Sequence, residues 1–165
     1  MAKVAILMGS KSDFPVVKPA VAALEKFGIE AQVRVISAHR TPDAAHEFAA
    51  NAEADGVEAI ICAAGKAAHL GGVIAAYTTL PVIGLPVKTD MMGGLDSLLS
   101  IVQMPSGIPV ATVGVNGGEN AALLAAQILA LRYPEIGEKL KAFKKQMSEK
   151  IAADDAALQE ELRAL

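Results

Sequence analysis

The sequence predicts a three-layer α/β sandwich around a parallel sheet, and three observations carry that prediction. Short apolar runs alternate with helix-period segments along the chain, as strands and crossover helices do in a parallel sheet. The runs "KVAILM", "VEAIIC" and "PVIGLP" are apolar on successive residues rather than on every second one, which suits strands covered on both faces. Alanine and glycine are abundant while aromatics make up only 4%, so the layers must approach closely through small side chains.

The elements follow in order. "KVAILM" (3–8) is the first strand. After "GSKSDFP" a helix runs to Phe27, with Ser12 or Asp13 as its cap, Pro15 in its first turn and Gly28 as its left-handed terminator. "EAQVRVI" (30–36) is the second strand. Thr41 is the expected N-cap of the second helix and Pro42 its first residue; Gly56 closes it. "VEAIIC" (57–62) is the third strand, "AAHLGGVIAAY" (67–77) a small-residue helix and "PVIGLP" (81–86) the fourth strand. A helix over 95–102 precedes the fifth strand, "IPVATV" (108–113). "GENAALLAAQILAL" (118–131) is apolar nearly all round and therefore a buried helix. From Pro134 a charged amphipathic helix runs to the end. With no internal repeat or linker, 1–165 is expected to form one domain. Its segment 134–165 is either a solvated arm or an element that docks on a neighbouring subunit.

Charge and cysteine usage narrow the function classes. Lys and Arg number 15 against 18 Asp and Glu, with no basic block, so a nucleic-acid partner is not expected. Cys62 is the sole cysteine and cannot form an internal disulfide, which fits a cytoplasmic protein. The opening "MAKVAILMGS" lacks the longer apolar core of a signal peptide. No apolar stretch approaches the roughly 20 residues of a membrane span.

The chemistry-bearing residues gather at strand ends. In an open parallel sheet, ligands bind beyond the carboxyl ends of the strands, where the strand order reverses. Gly9, Ser10, Ser12 and Asp13 follow the first strand, and Ser37, Ala38, His39 and Arg40 the second. Gly65, Lys66, Ala67, Ala68, His69 and Leu70 come after the third. The turn at Gly9 sets hydroxyls and free amides at a helix N-terminus, where they can hold a phosphate. It is neither G-x-G-x-x-G nor a P-loop. Asp13 can accept from sugar hydroxyls, or merely cap. Arg40 offers a planar fork for phosphate or carboxylate, or a surface ion pair. His39 and His69 are candidate proton carriers near neutral pH. His46, among alanines on the second helix, reads as non-catalytic, and Cys62 as an inert core thiol. No pair has metal-ligand spacing, so no metal site is expected.

The ordered segments "ILMGSKSD", "VISAHRTPD", "AAGKAAHLGG", "GLDSLLSIVQMPSGIPVATV" and "NAALLAAQIL" cover most of the chain and closely resemble the bacterial PurE family of purine biosynthesis. The resemblance implies a flavodoxin-like fold, a homo-octamer and no metal or organic cofactor. It implies a small ribonucleotide substrate and CO2: the family moves a carboxyl group from the exocyclic nitrogen to C4 of an aminoimidazole ribonucleotide. Carried onto these residues, it places substrate binding at Ser10, Ser12, Asp13 and Arg40. The segments Ser37-Ala38-His39 and 65–70 enclose the aminoimidazole and its carboxylate. His39 matches the family's catalytic histidine, and His69 belongs to the loop that faces it.

Two positions depart from the family's usual Gly-Gly-Ala-Ala-His-Leu-Pro-Gly: Lys66 replaces a glycine and Gly71 a proline. A second branch, which carboxylates aminoimidazole ribonucleotide directly with CO2, carries a basic residue where Lys66 stands but lacks the "AAHL" kept here. The sequence therefore sits nearer the mutase branch, with direct carboxylation as the alternative. An ammonium at Lys66 would attract a substrate carboxylate if it faces the pocket, and does nothing if it faces water. Gly71 is expected to loosen the loop. From another class, a non-catalytic nucleotide-binding module would need Ser10, Asp13 and Arg40 but not His39. A flavin protein is disfavoured because the strand-end loops lack aromatics.

Overall fold

A computed structural model describes residues 1–165. Five parallel strands, β1 (Lys3–Met8), β2 (Glu30–Val35), β3 (Ala59–Ala64), β4 (Val82–Pro86) and β5 (Ala111–Thr112), lie in the order β2-β1-β3-β4-β5. The chain moves outward from β1 to β2, then crosses to β3 on the other flank of β1. The strand order therefore reverses between β1 and β3, with Ile6 beside Ile61 and Met8 beside Ala63. The helices are α1 (Phe14–Phe27), α2 (Pro42–Asn51), α3 (Leu70–Tyr77), α4 (Leu95–Val102), α5 (Gly118–Leu129) and α6 (Pro134–Arg163).

Alternation along β1 builds two cores. Val4, Ile6 and Met8 meet α1, α5 and the start of α6, while Ala5 and Leu7 meet α2, α3 and α4. The sheet is thus covered on both faces, a flavodoxin-like α/β/α sandwich. Alanine makes the close approach possible: Ala20 and Ala23 of α1 and Ala121, Ala122, Ala125 and Ala126 of α5 share one core. Gly28 ends α1 at φ 75°, a backbone that costs glycine little, and its N–H caps Glu25 and Leu24. Helix α6 buries only Ile136 and Leu140; Met147, Ile151, Leu158 and Leu162 are exposed along it. No helix is long and apolar enough to cross a membrane.

Several expected boundaries move, each for a local reason. Asp13 holds the N-cap position of α1, as expected, but its side chain makes no capping bond. A 3-10 turn over Lys11–Asp13 comes first, and Ser10 caps that turn by accepting from Ser12 N–H. Thr41 is the N-cap of α2, as expected, but its hydroxyl makes no capping bond to the helix, because it accepts from Ser37 N–H and donates to Ser37 O, both at 3.0 Å. Helix α2 stops at Asn51, and Gly56, at φ 81°, closes the turn beyond it. Strand β3 starts two residues late because Val57 N–H bonds back to Ala52 O. Helix α3 starts at Leu70 rather than at residue 67. Lys66 turns left-handed, at φ 58°, and Ala68 N–H and His69 N–H bond two residues back instead of along a helix. Strand β5 shrinks to two residues, since Pro109 cannot donate to a ladder and Gly107 turns just before it. Gly71 belongs to no loop: it is the second residue of α3 and is buried against Val110 and Cys62.

Candidate functional site

The carboxyl ends of β1 to β4 enclose a cavity of about 510 Å³. Gly9, Ser10, Ser12 and Asp13 line it after β1, and Ser37, Ala38, His39 and Arg40 after β2. Ala64, Gly65, Lys66, Ala67, His69 and Leu70 line it after β3, and Val87, Lys88 and Thr89 after β4. The four strand ends lie level because the parallel register pairs Met8 with Val35 and Ala63, and Ala64 with Pro86.

Each wall has a cause in its sequence. After β1, Ser12 Oγ donates to Ser10 Oγ at 2.8 Å, which binds the two hydroxyls into one unit. Burial holds the Asp13 carboxyl above its ordinary range, against the lowering effect of hydrogen bonds from Ser10 and Ser12. After β2, residues 37–41 close on themselves: Thr41 N–H donates to Ser37 O at 2.8 Å and Arg40 N–H to Ser37 Oγ at 3.2 Å. That turn presents Ala38 and His39 to the cavity. Arg40 then ties this loop to the first strand through Nη2, which donates to Gly9 O at 3.0 Å. A guanidinium has five donors, so most of the fork is left for an anion.

His39 Nε2 and His69 Nδ1 stand 2.8 Å apart, with the rings edge to face at 5.0 Å between centroids. At this distance one ring donates and the other accepts, so the pair can pass a single proton between its members. Both histidines line the cavity. Arg40, Lys66 and Lys88 line the same cavity as a single carboxyl-bearing residue, Asp13. The cavity therefore favours an anion with hydroxyls.

Of the residues singled out in the sequence, Ser10, Ser12, Asp13, Ser37, Ala38, His39, Arg40, Gly65, Lys66, Ala67, His69 and Leu70 line one cavity. Ala68 is the exception: it is 1% exposed and packs behind the loop, in the core beneath α2 and α3. His46 stacks on Tyr77 at 4.3 Å, where α2 meets α3, away from the cavity. Cys62 is buried, and burial pushes its thiol far up. Sequence reasoning missed Val87, Lys88 and Thr89. The strand-end rule applied to "PVIGLPVKTD" would have found them, because those three residues follow the fourth apolar run directly.

Comparisons with known proteins identify the family. The AIR carboxylase family model matches residues 3–150. The N5-carboxyaminoimidazole ribonucleotide mutase of Pyrococcus abyssi is 60% identical over 147 residues, which are 89% of this chain and 84% of the relative. That of Thermotoga maritima is 56% identical over 151 residues, 92% and 88% of the two chains. The crystal structure of Treponema denticola PurE superimposes with a TM-score of 0.88 at 35% identity, covering 96% of this chain and 99% of that one. With sequence, fold and the resemblance to PurE all in agreement, the chain belongs to the AIR carboxylase family.

Proposed function

We propose that this chain is an N5-carboxyaminoimidazole ribonucleotide mutase of purine biosynthesis, converting its substrate to 4-carboxy-5-aminoimidazole ribonucleotide. The observation that carries this reading is the His39–His69 contact inside a cation-lined cavity at the strand-order reversal. The name shared by relatives 50 to 60% identical over most of the chain supports it.

The chemistry needs a proton delivered and a proton taken away. A carbamate on nitrogen releases CO2 once that nitrogen accepts a proton. The remaining aminoimidazole is an enamine whose C4 attacks the CO2, forming the new C–C bond. C4 then carries one hydrogen too many, and its removal restores the aromatic ring. A group that donates first and accepts later ends as it began. In this reading His39 is that group, and His69 takes or supplies the proton behind it. Ser10, Ser12 and Arg40 hold the phosphate, and Asp13 accepts from the ribose hydroxyls. Ser37, Ala38, Gly65, Ala67 and Leu70 wall in the aminoimidazole and the transient CO2, so that recapture outruns escape. Ala68 supports that wall from behind. Lys66 and Lys88 add positive charge for the carboxylate or the phosphate. The reading calls for no metal or organic cofactor.

Beyond the site, we read 1–165 as one cytoplasmic domain with a helical arm from Pro134, assembled as a homo-octamer. The apolar residues exposed along α6 support a subunit contact there. Light scattering of the purified chain measures that number.

A side-by-side assay tests the function. The N5-carboxylated substrate should be converted without bicarbonate, and aminoimidazole ribonucleotide with bicarbonate should turn over far more slowly. A preference for the second pair would make the chain a direct carboxylase, the role a basic residue at position 66 would otherwise suit. Binding without turnover of either would leave only a nucleotide-binding module.

A further inference from the structure

Lys66 holds a left-handed backbone, φ 58°, that a residue with a Cβ seldom adopts. Helix α4 clamps it from both sides. Lys66 N–H donates to Ser97 Oγ at 2.9 Å, and Lys66 O accepts from Ser100 Oγ at 3.3 Å. Ser97 is the one buried polar residue of the chain, 0% exposed. A hydroxyl in that position has no water to turn to, so the amide it accepts from is what makes its burial tolerable. One residue earlier, the Asp96 carboxylate accepts from Thr89 Oγ1 at 2.5 Å, and Thr89 lines the cavity from the next strand end. The first turn of α4 therefore grips two of the cavity's four loops.

Three residues beyond Lys66 stands His69, 2.8 Å from His39. We propose that Ser97 is a positioning residue for catalysis: by fixing the left-handed turn at Lys66, it sets His69 at hydrogen-bonding distance from His39. The inference rests on the mutase reading of the site. It also has a consequence peculiar to this chain. Glycine adopts positive φ without help, so a chain with glycine at position 66 depends less on the clamp than one with lysine.

A double-mutant cycle reads this directly. Ser97→Ala is made alone and together with Lys66→Gly, and kcat and KM for the N5-carboxylated substrate are measured for all four chains. Rates are taken at a temperature where unfolding curves show each chain folded. Alone, Ser97→Ala should lower kcat by roughly ten- to a hundredfold, the effect of misplacing a reacting group by an ångström or less, with KM changed by less than about threefold. In the Lys66→Gly background the same substitution should cost less than about threefold in kcat. Ser97→Cys, with a sulfur that is only a weak acceptor, takes its place if the alanine chain does not fold. An equal loss in both backgrounds, or no loss in either, overturns the proposal. An inactive parent chain would instead overturn the mutase reading.

Discussion

Asp13 shows how a single residue's surroundings set the conditions under which the site works. Burial at the end of β1 raises its carboxyl pKa, and the hydrogen bonds from Ser10 and Ser12 offset that only in part. A raised pKa means that Asp13 takes up its proton at a higher pH than an exposed aspartate as the solution is acidified. A protonated carboxyl accepts fewer hydrogen bonds than a carboxylate, so in the proposed binding role it would hold the ribose hydroxyls less well. KM should therefore climb on the acid side of neutrality while kcat changes less, and Asp13→Asn should raise KM throughout and flatten that climb. A pH series of initial rates on both chains checks this; an equally steep acid limb in the Asn variant would remove Asp13 from binding. At this scale the residue types were legible and their partners were not. Hydroxyls, His39, Arg40 and His69 announced themselves at strand ends. That the Thr41 hydroxyl would serve Ser37 rather than its own helix could not be read, because both partners are local and compete for the same oxygen. The left-handed turn at Lys66 was equally hidden, since lysine argues against it and the clamp that holds it lies 31 residues away in α4.

Among elements, α4 does the most to hold the site's shape, and Gly84 lets it come close enough. A Cβ at Gly84 would overlap Ile101 Cγ2 and stand 3.1 Å from Val110 Cγ1, so strand β4 meets α4 with nothing between them. Gly84→Ala forces the helix outward in a core that has little room to adjust. The expected cost is about 1–3 kcal/mol of stability, read as a lower urea midpoint at unchanged slope. An unchanged midpoint would mean that α4 is free to shift, and the clamp on Lys66 with it. The long elements were legible because two signals agreed. Strand β1 and helices α1 and α4 show apolar patterning that ends in a clear stop, as at Gly28. Strand β5 and the start of α3 were not, because the stop there came from Pro109 and from a backbone turn inside an otherwise regular pattern.

The whole molecule carries a net charge of -3, yet the cavity at the strand ends gathers Arg40, Lys66 and Lys88 with Asp13 alone. In the proposed binding mode that contrast would draw an anionic substrate toward the cavity. The topology supplies the rest. Order β2-β1-β3-β4-β5 in parallel register brings four loops, widely separated in sequence, to one end of the sheet. His39 and His69, 30 residues apart along the chain, meet across the end of β1, which lies between the strands that lead to them. No local pattern states that contact; it follows only once the strand order is known. If this pair acts on a molecule held by the other walls, losing one ring removes turnover and spares binding. The most direct measurement compares turnover and equilibrium binding of the N5-carboxylated substrate in the parent chain and in His39→Asn. Conversion should drop by at least about a hundredfold, the scale of a lost general acid–base, while the dissociation constant stays within a few-fold. Conversion at the parent's rate, or binding lost together with turnover, would contradict it.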